Sequence, residues 1–220
     1  MVCVENTHNM CGGSVLDKQY IDALGGLAKD LEIAVHVDGA RIFNACVALG
    51  ISPAMLCESA DTVSICLSKG LGAPMGSVLV GSKETIRLAR RARKRLGGGT
   101  RQVGVVAAQG LYAVEHNIDR LAEDHYRSKK IAKALYDNGF YQPQEGKVQT
   151  NIVYFGLPLN CTLTTKEFAE KLKTDFNILI GSGYSKGGSL FRVCTHLDVN
   201  DVDVDFAING ILKLASLYKR

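Results

Sequence analysis

The sequence predicts an α/β domain with a mainly parallel sheet over residues 1–120, followed by a smaller α+β domain over residues 121–220. Three observations carry this reading. Short apolar runs alternate with stretches of helical spacing through the first half, which is the pattern of βαβ units. After about Asp119 the order changes to a charged helix, a loop, and three short strands mixed with helices. The chain has 220 residues, 46% hydrophobic and 22% charged, which is globular composition with room for one or two cores.

Taken in order, Val2 to Glu5 reads as a strand that begins at once. Asp17 to Leu31 has helical spacing, weakened by Gly25 and Gly26. Ala34 to Val37 is a predicted strand and Ile42 to Leu49 a short helix. Thr62 to Leu67 and Ser77 to Val80 are further strands. Lys83 to Leu96 and Val103 to Asn117 read as helices separated by Gly97-Gly98-Gly99. In the second half a helix runs to about Asp137, and Gly139 to Thr150 is loop-like. Ile152 to Phe155, Ile178 to Ile180 and Leu190 to Cys194 read as strands, with helices near Thr165 to Thr174 and Asp201 to Tyr218.

Charge and cysteine usage narrow the class of function. The net charge is +4, yet the segment from Lys83 to Arg95 alone carries +6, so the rest is close to −2. No aromatic residue interleaves with those cations, so a nucleic-acid partner is not expected; a solvated helix face or a small phosphorylated ligand suits the segment better. The seven cysteines include no C-x-x-C pair, which argues against a zinc or thioredoxin site and for small core residues in a reducing compartment. No apolar run approaches the roughly 18 residues of a membrane span. The N-terminus lacks the basic and apolar regions of a signal peptide. We expect no metal, no membrane partner, and a cytoplasmic protein, a mitochondrial one being compatible.

In open α/β sheets, ligands sit beyond the carboxyl ends of the parallel strands. The first strand is followed by Glu5-Asn6-Thr7-His8-Asn9, the second by Asp38-Gly39-Ala40-Arg41, the third by Ser68-Lys69-Gly70-Leu71-Gly72. A histidine, an aspartate, an arginine and a lysine would thus share one sheet edge. Pyridoxal phosphate (PLP) needs this set: a lysine to bind it covalently, and a carboxylate to keep its pyridine nitrogen protonated so that it acts as an electron sink. Glycines beside the lysine let the backbone come close.

Those three motifs closely resemble the low-specificity L-threonine aldolase family. So do the longer run Leu67 to Ser77, Gly97-Gly98-Gly99-Thr100-Arg101-Gln102, and Arg192-Val193-Cys194-Thr195-His196-Leu197-Asp198. The motifs stand in the family's order from residue 5 to residue 198. The resemblance implies a PLP-dependent transferase-like fold (fold type I), with residues 1–120 the lysine-bearing half of the large domain. It implies a carbon–carbon lyase that cleaves β-hydroxy-α-amino acids such as threonine or allo-threonine to glycine and an aldehyde, in threonine catabolism and glycine biosynthesis. It implies a homo-oligomer, a homotetramer, with active sites shared between subunits.

Carried over residue by residue, Lys69 would hold the cofactor and Asp38 would pair with its pyridine nitrogen. Arg41 would sit by the cofactor's phenolic oxygen and the substrate carboxylate, and Arg192 would grip that carboxylate. Arg101 resembles the arginine that reaches a neighbouring subunit's cofactor phosphate, with Lys94 assisting and counted among the substrate-binding residues. His8 resembles the histidine near the substrate's β-hydroxyl. Each has a plainer reading: a surface lysine, a turn or cap aspartate, an exposed helix arginine, a structural salt bridge, a histidine that satisfies one hydrogen bond. His36 and His196 read as structural.

Two other signals fail. Gly76 to Lys83 mimics a phosphate loop, but its lysine is one place late and its middle is a strand. Asp198, Asp201, Asp203 and Asp205 suggest a calcium loop, but Phe206 and Leu212 do not suit one; an acidic first helical turn capped by Asn200 explains them. Rival readings are another activity on the same fold, a transaminase or β-eliminating lyase, and a non-catalytic aldolase fragment. The family's chains begin well upstream of the strand that opens here. An isolated chain of this extent is therefore expected to bind PLP weakly and to turn over threonine poorly.

Overall fold

The computed structural model describes residues 1–185 and 187–220. It divides into two compact units, one of residues 1–8 and 14–122, the other of residues 9–13 and 123–220.

In the first unit, β1 (Val2–Glu5), β2 (Val35–Gly39), β3 (Thr62–Cys66) and β4 (Ser77–Gly81) form one sheet in that order. The first three are parallel and β4 is antiparallel. Register assigns the faces. Val4, Val37 and Val63 line up on one side, while Glu5, Asp38 and Ser64 line up on the other. The valine side is covered by α1 (Lys18–Asp30), α2 (Ile42–Leu49) and the short α3 (Pro53–Leu56). Ile21, Ile42, Phe43, Leu56, Leu67 and Leu71 fill the core between them.

Local chemistry sets the ends of these helices. The Asp17 carboxylate accepts the Tyr20 amide at 2.8 Å and starts α1. Gly50, at φ +66°, ends α2 in the left-handed conformation that a glycine adopts without steric cost. Ser52 caps α3, with Pro53 at its first turn, a start signal the apolar pattern alone does not reveal. Next come α4 (Lys83–Arg95), the basic segment, which buries no residue, and α5 (Gly104–His116). Every position of β4 is exposed as well.

The second unit holds most of α6 (Leu121–Asp137), then β5 (Ile152–Phe155), α7 (Thr165–Phe176), β6 (Gly181–Tyr184), β7 (Leu190–Cys194) and α8 (Asp201–Leu217). Its sheet is antiparallel, in the order β5-β7-β6. Phe155, Phe168 and Phe191 are fully buried on the helix-covered side, with the Phe155 and Phe191 rings stacked at 5.0 Å. Capping boxes start α7 at Thr164 and α8 at Asn200, where Asn200 and Asp203 exchange hydrogen bonds as the acidic-first-turn reading requires.

One predicted strand is wrong. Ile178 to Ile180 is not a strand; the pairing falls on Gly181–Tyr184. Asn177 ends α7 at φ +55°, and the Ile178 amide donates back to the Leu172 carbonyl at 3.0 Å. The apolar run closes the helix and drops Ile178 into the core, and the next four residues make the ladder.

Candidate active site

Beyond β1, the Asn6 side chain is buried and fixes the turn twice: its amide donates to the Leu16 carbonyl at 2.8 Å and its oxygen accepts the Leu16 amide at 3.2 Å. That anchor presents His8. Its Nε2 lies 3.3 Å from the Glu5 carboxylate. In a neutral imidazole, a proton on the Nε2 that faces this carboxylate leaves the lone pair on Nδ1. Nδ1 is buried with no hydrogen-bond partner among the described residues, and so is the Thr7 hydroxyl. Two polar atoms without a partner in the chain at one strand end leave hydrogen-bonding capacity for a ligand or water.

Near the end of β2, Asp38 lies on the face opposite the valines and is exposed. Its Oδ1 accepts the Ala40 amide at 3.0 Å and the Ser64 hydroxyl at 3.5 Å. One oxygen is thus held in place and the carboxylate stays open toward solvent. Gly39 has no room for a side chain, because a Cβ would stand 2.8 Å from the Ser64 carbonyl. Arg41 is half-buried at the N-terminus of α2.

Beyond β3, Lys69 is exposed on a loop pinned on both sides. The Ala73 amide donates to the Leu67 carbonyl at 3.0 Å, the Gly72 amide to the Lys69 carbonyl at 2.9 Å, and the Asn117 side chain to the Leu71 carbonyl at 2.7 Å. Leu67, Leu71 and Ala73 are buried and tie the loop to the core, while Ser68, Lys69 and Gly72 are exposed. Gly70 permits this closeness, since a Cβ there would meet the Leu121 side chain at 2.8 Å.

His8, Asp38, Arg41 and Lys69 therefore gather at the carboxyl edge of adjacent parallel strands, which lie about 4.8 Å apart. Ser64, the hydroxyl that orients Asp38, and Glu5, the carboxylate beside His8, belong to the same edge; neither residue type announces itself in the sequence. Arg101 and Lys94 are exposed, and among the described residues neither makes an ion pair. The Lys94 chain lies over Gly99, where a Cβ would stand 2.8 Å from Nζ.

Arg192 belongs to the second unit. It lies half-buried on β7, and its Nη1 donates to the Asn9 side-chain oxygen at 2.6 Å. The described residues contain no cluster of histidine, cysteine and acidic groups able to hold a metal ion. None of the described helices is long and apolar enough to cross a membrane.

The chemistry of this donor set fits PLP: an exposed amine on a fixed loop, an open carboxylate held by a hydroxyl, and unpartnered polar atoms beside them. The fold is that of a fold-type I α/β protein. A family model described as beta-eliminating lyase matches residues 1–157, and the chain belongs to that family. It is 37% identical over 209 residues to low-specificity L-threonine aldolase 1 of Arabidopsis thaliana, covering 95% of this chain and 57% of that one. It is 38% identical over 200 residues to low specificity L-threonine aldolase of Escherichia coli K12, covering 91% and 56%. Among solved structures it resembles a Leishmania major threonine aldolase with a TM-score of 0.79, at 17% identity, covering 97% of this chain and 60% of that one. The chain spans a little over half the length of the curated relatives it matches.

Proposed function

We propose that this chain carries a threonine-aldolase-type site and acts as a PLP-dependent carbon–carbon lyase on β-hydroxy-α-amino acids, yielding glycine and an aldehyde. The observation that carries the reading is the shared strand edge of Lys69, Asp38, Arg41 and His8, with the His8 Nδ1 lone pair unpartnered beside it. The relatives named as threonine aldolases support the same class.

Lys69 would hold the cofactor through its amine, and Asp38 would hold the pyridine proton. When bound, the cofactor supplies a sink for the electron pair released as the Cα–Cβ bond breaks. Glu5 fixes the His8 tautomer, and His8 takes the β-hydroxyl proton at Nδ1 as the aldehyde carbonyl forms. Arg41 orients the cofactor's phenolic oxygen. Arg192 binds the substrate carboxylate through a two-pronged guanidinium contact, the strong geometry for that pair. Arg101 and Lys94, exposed and unpaired with acids, are assigned to the cofactor phosphate of a second copy in a homo-oligomer. β-Elimination is the second reading, favoured by the family's description; its products, ammonia and a keto acid, distinguish it.

The test mixes the purified chain with PLP and reads the lysine-bound cofactor absorbance in wild type and Lys69→Ala. Threonine and allo-threonine are then added, and glycine and acetaldehyde are measured. A weak band is expected in wild type alone, with glycine and acetaldehyde released slowly and in equal amounts. A band that survives Lys69→Ala removes that residue from its role. A lysine-dependent band without product restricts the chain to a non-catalytic part of such an enzyme.

A further inference from the structure

We propose that Tyr184 is a positioning residue for Arg192: its ring covers the guanidinium and, with Asn9 and Tyr154, presets the fork that receives the substrate carboxylate. The inference rests on the reading of Arg192 as the carboxylate site, and it concerns residues of the second unit only.

The placement follows from strand pairing. β7 is the central strand, so Arg192 has a neighbour on each side: Tyr154 of β5 and Gly181 of β6. The adjacent pair Phe155 and Phe191 faces the buried core, which puts Arg192 and Tyr154 on the opposite face. Gly181 offers no side chain there. Tyr184 takes the space, because a Cβ on Gly181 would stand 3.2 Å from its Cε2 and 3.3 Å from its hydroxyl. A register shift between Ser182 and Tyr184 accompanies this folding-back, as bulges that re-aim a side chain do.

The result encloses the cation on several sides. The Arg192 Cζ lies 5.2 Å from the Tyr184 ring centre. The Tyr184 and Tyr154 rings meet edge to face at 5.7 Å and 82°. Asn9 accepts one guanidinium N–H at 2.6 Å. The Tyr154 hydroxyl, 3.5 Å from the Met10 sulfur, stays neutral at ordinary pH, since burial pushes it up even though Arg192 pulls it down. None of these partners is a carboxylate, and among the described residues Arg192 makes no ion pair. Guanidinium has five N–H donors. A half-buried one with its face covered, donors committed to Asn9 and to the Tyr154 hydroxyl, and no ion pair among the described residues still has N–H groups left for an anion. Pre-organising it removes rotamer cost from binding. The phenol–guanidinium face contact strengthens as water is excluded.

The experiment is a glycine titration of the full chain by 15N NMR, followed at the Phe191 and Val193 backbone amides, which every variant keeps. The variants are Tyr184→Leu, Tyr184→Phe, Gly181→Ala and Arg192→Gln. Wild type is expected to show a saturable response that Arg192→Gln abolishes. Tyr184→Leu should weaken glycine binding about three- to tenfold, the range of a partly desolvated cation–π contact, with an unchanged thermal midpoint. Tyr184→Phe should restore it to within about twofold, because the ring face and not the hydroxyl does the work. Gly181→Ala keeps the ring but displaces it, and should also weaken binding. In Tyr184→Leu the Arg192 Nε–H signal should broaden without any ligand. Glycine binding at wild-type strength in Tyr184→Leu, with Arg192→Gln still inactive, overturns the inference and leaves the carboxylate reading standing. A wild-type chain in which glycine moves neither amide, or an Arg192→Gln response equal to wild type, overturns both.

Discussion

His125 sits on α6 at 4% exposure, and burial pushes its imidazole down from 6.5 to about 4, with Lys129 one turn on adding repulsion. The folded protein therefore holds it neutral while the unfolded chain protonates it below 6.5. The sign follows: stability is complete above the unfolded value, falls with pH between 6.5 and about 4, and then levels. Taking the chain from about pH 7 to about pH 4.5 should cost about 2 kcal/mol through this one group. The assay is urea unfolding across that window for wild type and His125→Leu, alongside an NMR titration of the imidazole C–H. The variant should lose most of the slope that wild type shows. An imidazole that titrates at or above 6.5, or a variant with the wild-type slope, refutes the reasoning.

Two further outcomes follow from single residues. Gly13 has φ +71°, and a Cβ on it would collide with the Thr150 hydroxyl, which donates to the Gly13 carbonyl at 2.7 Å. Gly13→Ala should therefore lower the unfolding free energy by about 2–3 kcal/mol, from left-handed strain plus a displaced buried hydrogen bond, and a urea midpoint measures it. Cys46 is buried and its thiol is pushed up to about 12, whereas Cys3 and Cys11 are exposed. Iodoacetamide at mildly alkaline pH should modify Cys3 and Cys11 first and Cys46 last, as peptide mass mapping over time would record.

Where an element's own residues carry its signals, sequence reasoning was enough. α2 was readable from an apolar run ended by Gly50, and α8 from Asn200 followed by acids. Strand ends placed Asp38 and Lys69 on one edge because parallel βαβ order dictates it. β6 failed for the converse reason. Gly181–Tyr184 has little strand propensity of its own and is a strand only because β7 offers it a ladder. The same dependence hid the surroundings of Arg192: Tyr154, Tyr184 and Asn9 come from three separate places in the chain, and only long-range pairing brings them together. Ser64 escaped notice because a serine in a strand is ordinary until register sets it against Asp38.

The segment Asn9–Gly13 belongs with residues far along the chain, so the polypeptide passes between the units at 8/9, 13/14 and 122/123. A piece starting at Glu123 would lack the acceptors that Arg192, Gln144 and Thr150 use on Asn9, Gly12 and Gly13. Those three bonds span 183, 132 and 137 positions. Loop closures of that length come late and slow folding. Arg192 should thus be among the last residues to acquire its native surroundings, after the phenylalanine core beneath it has formed.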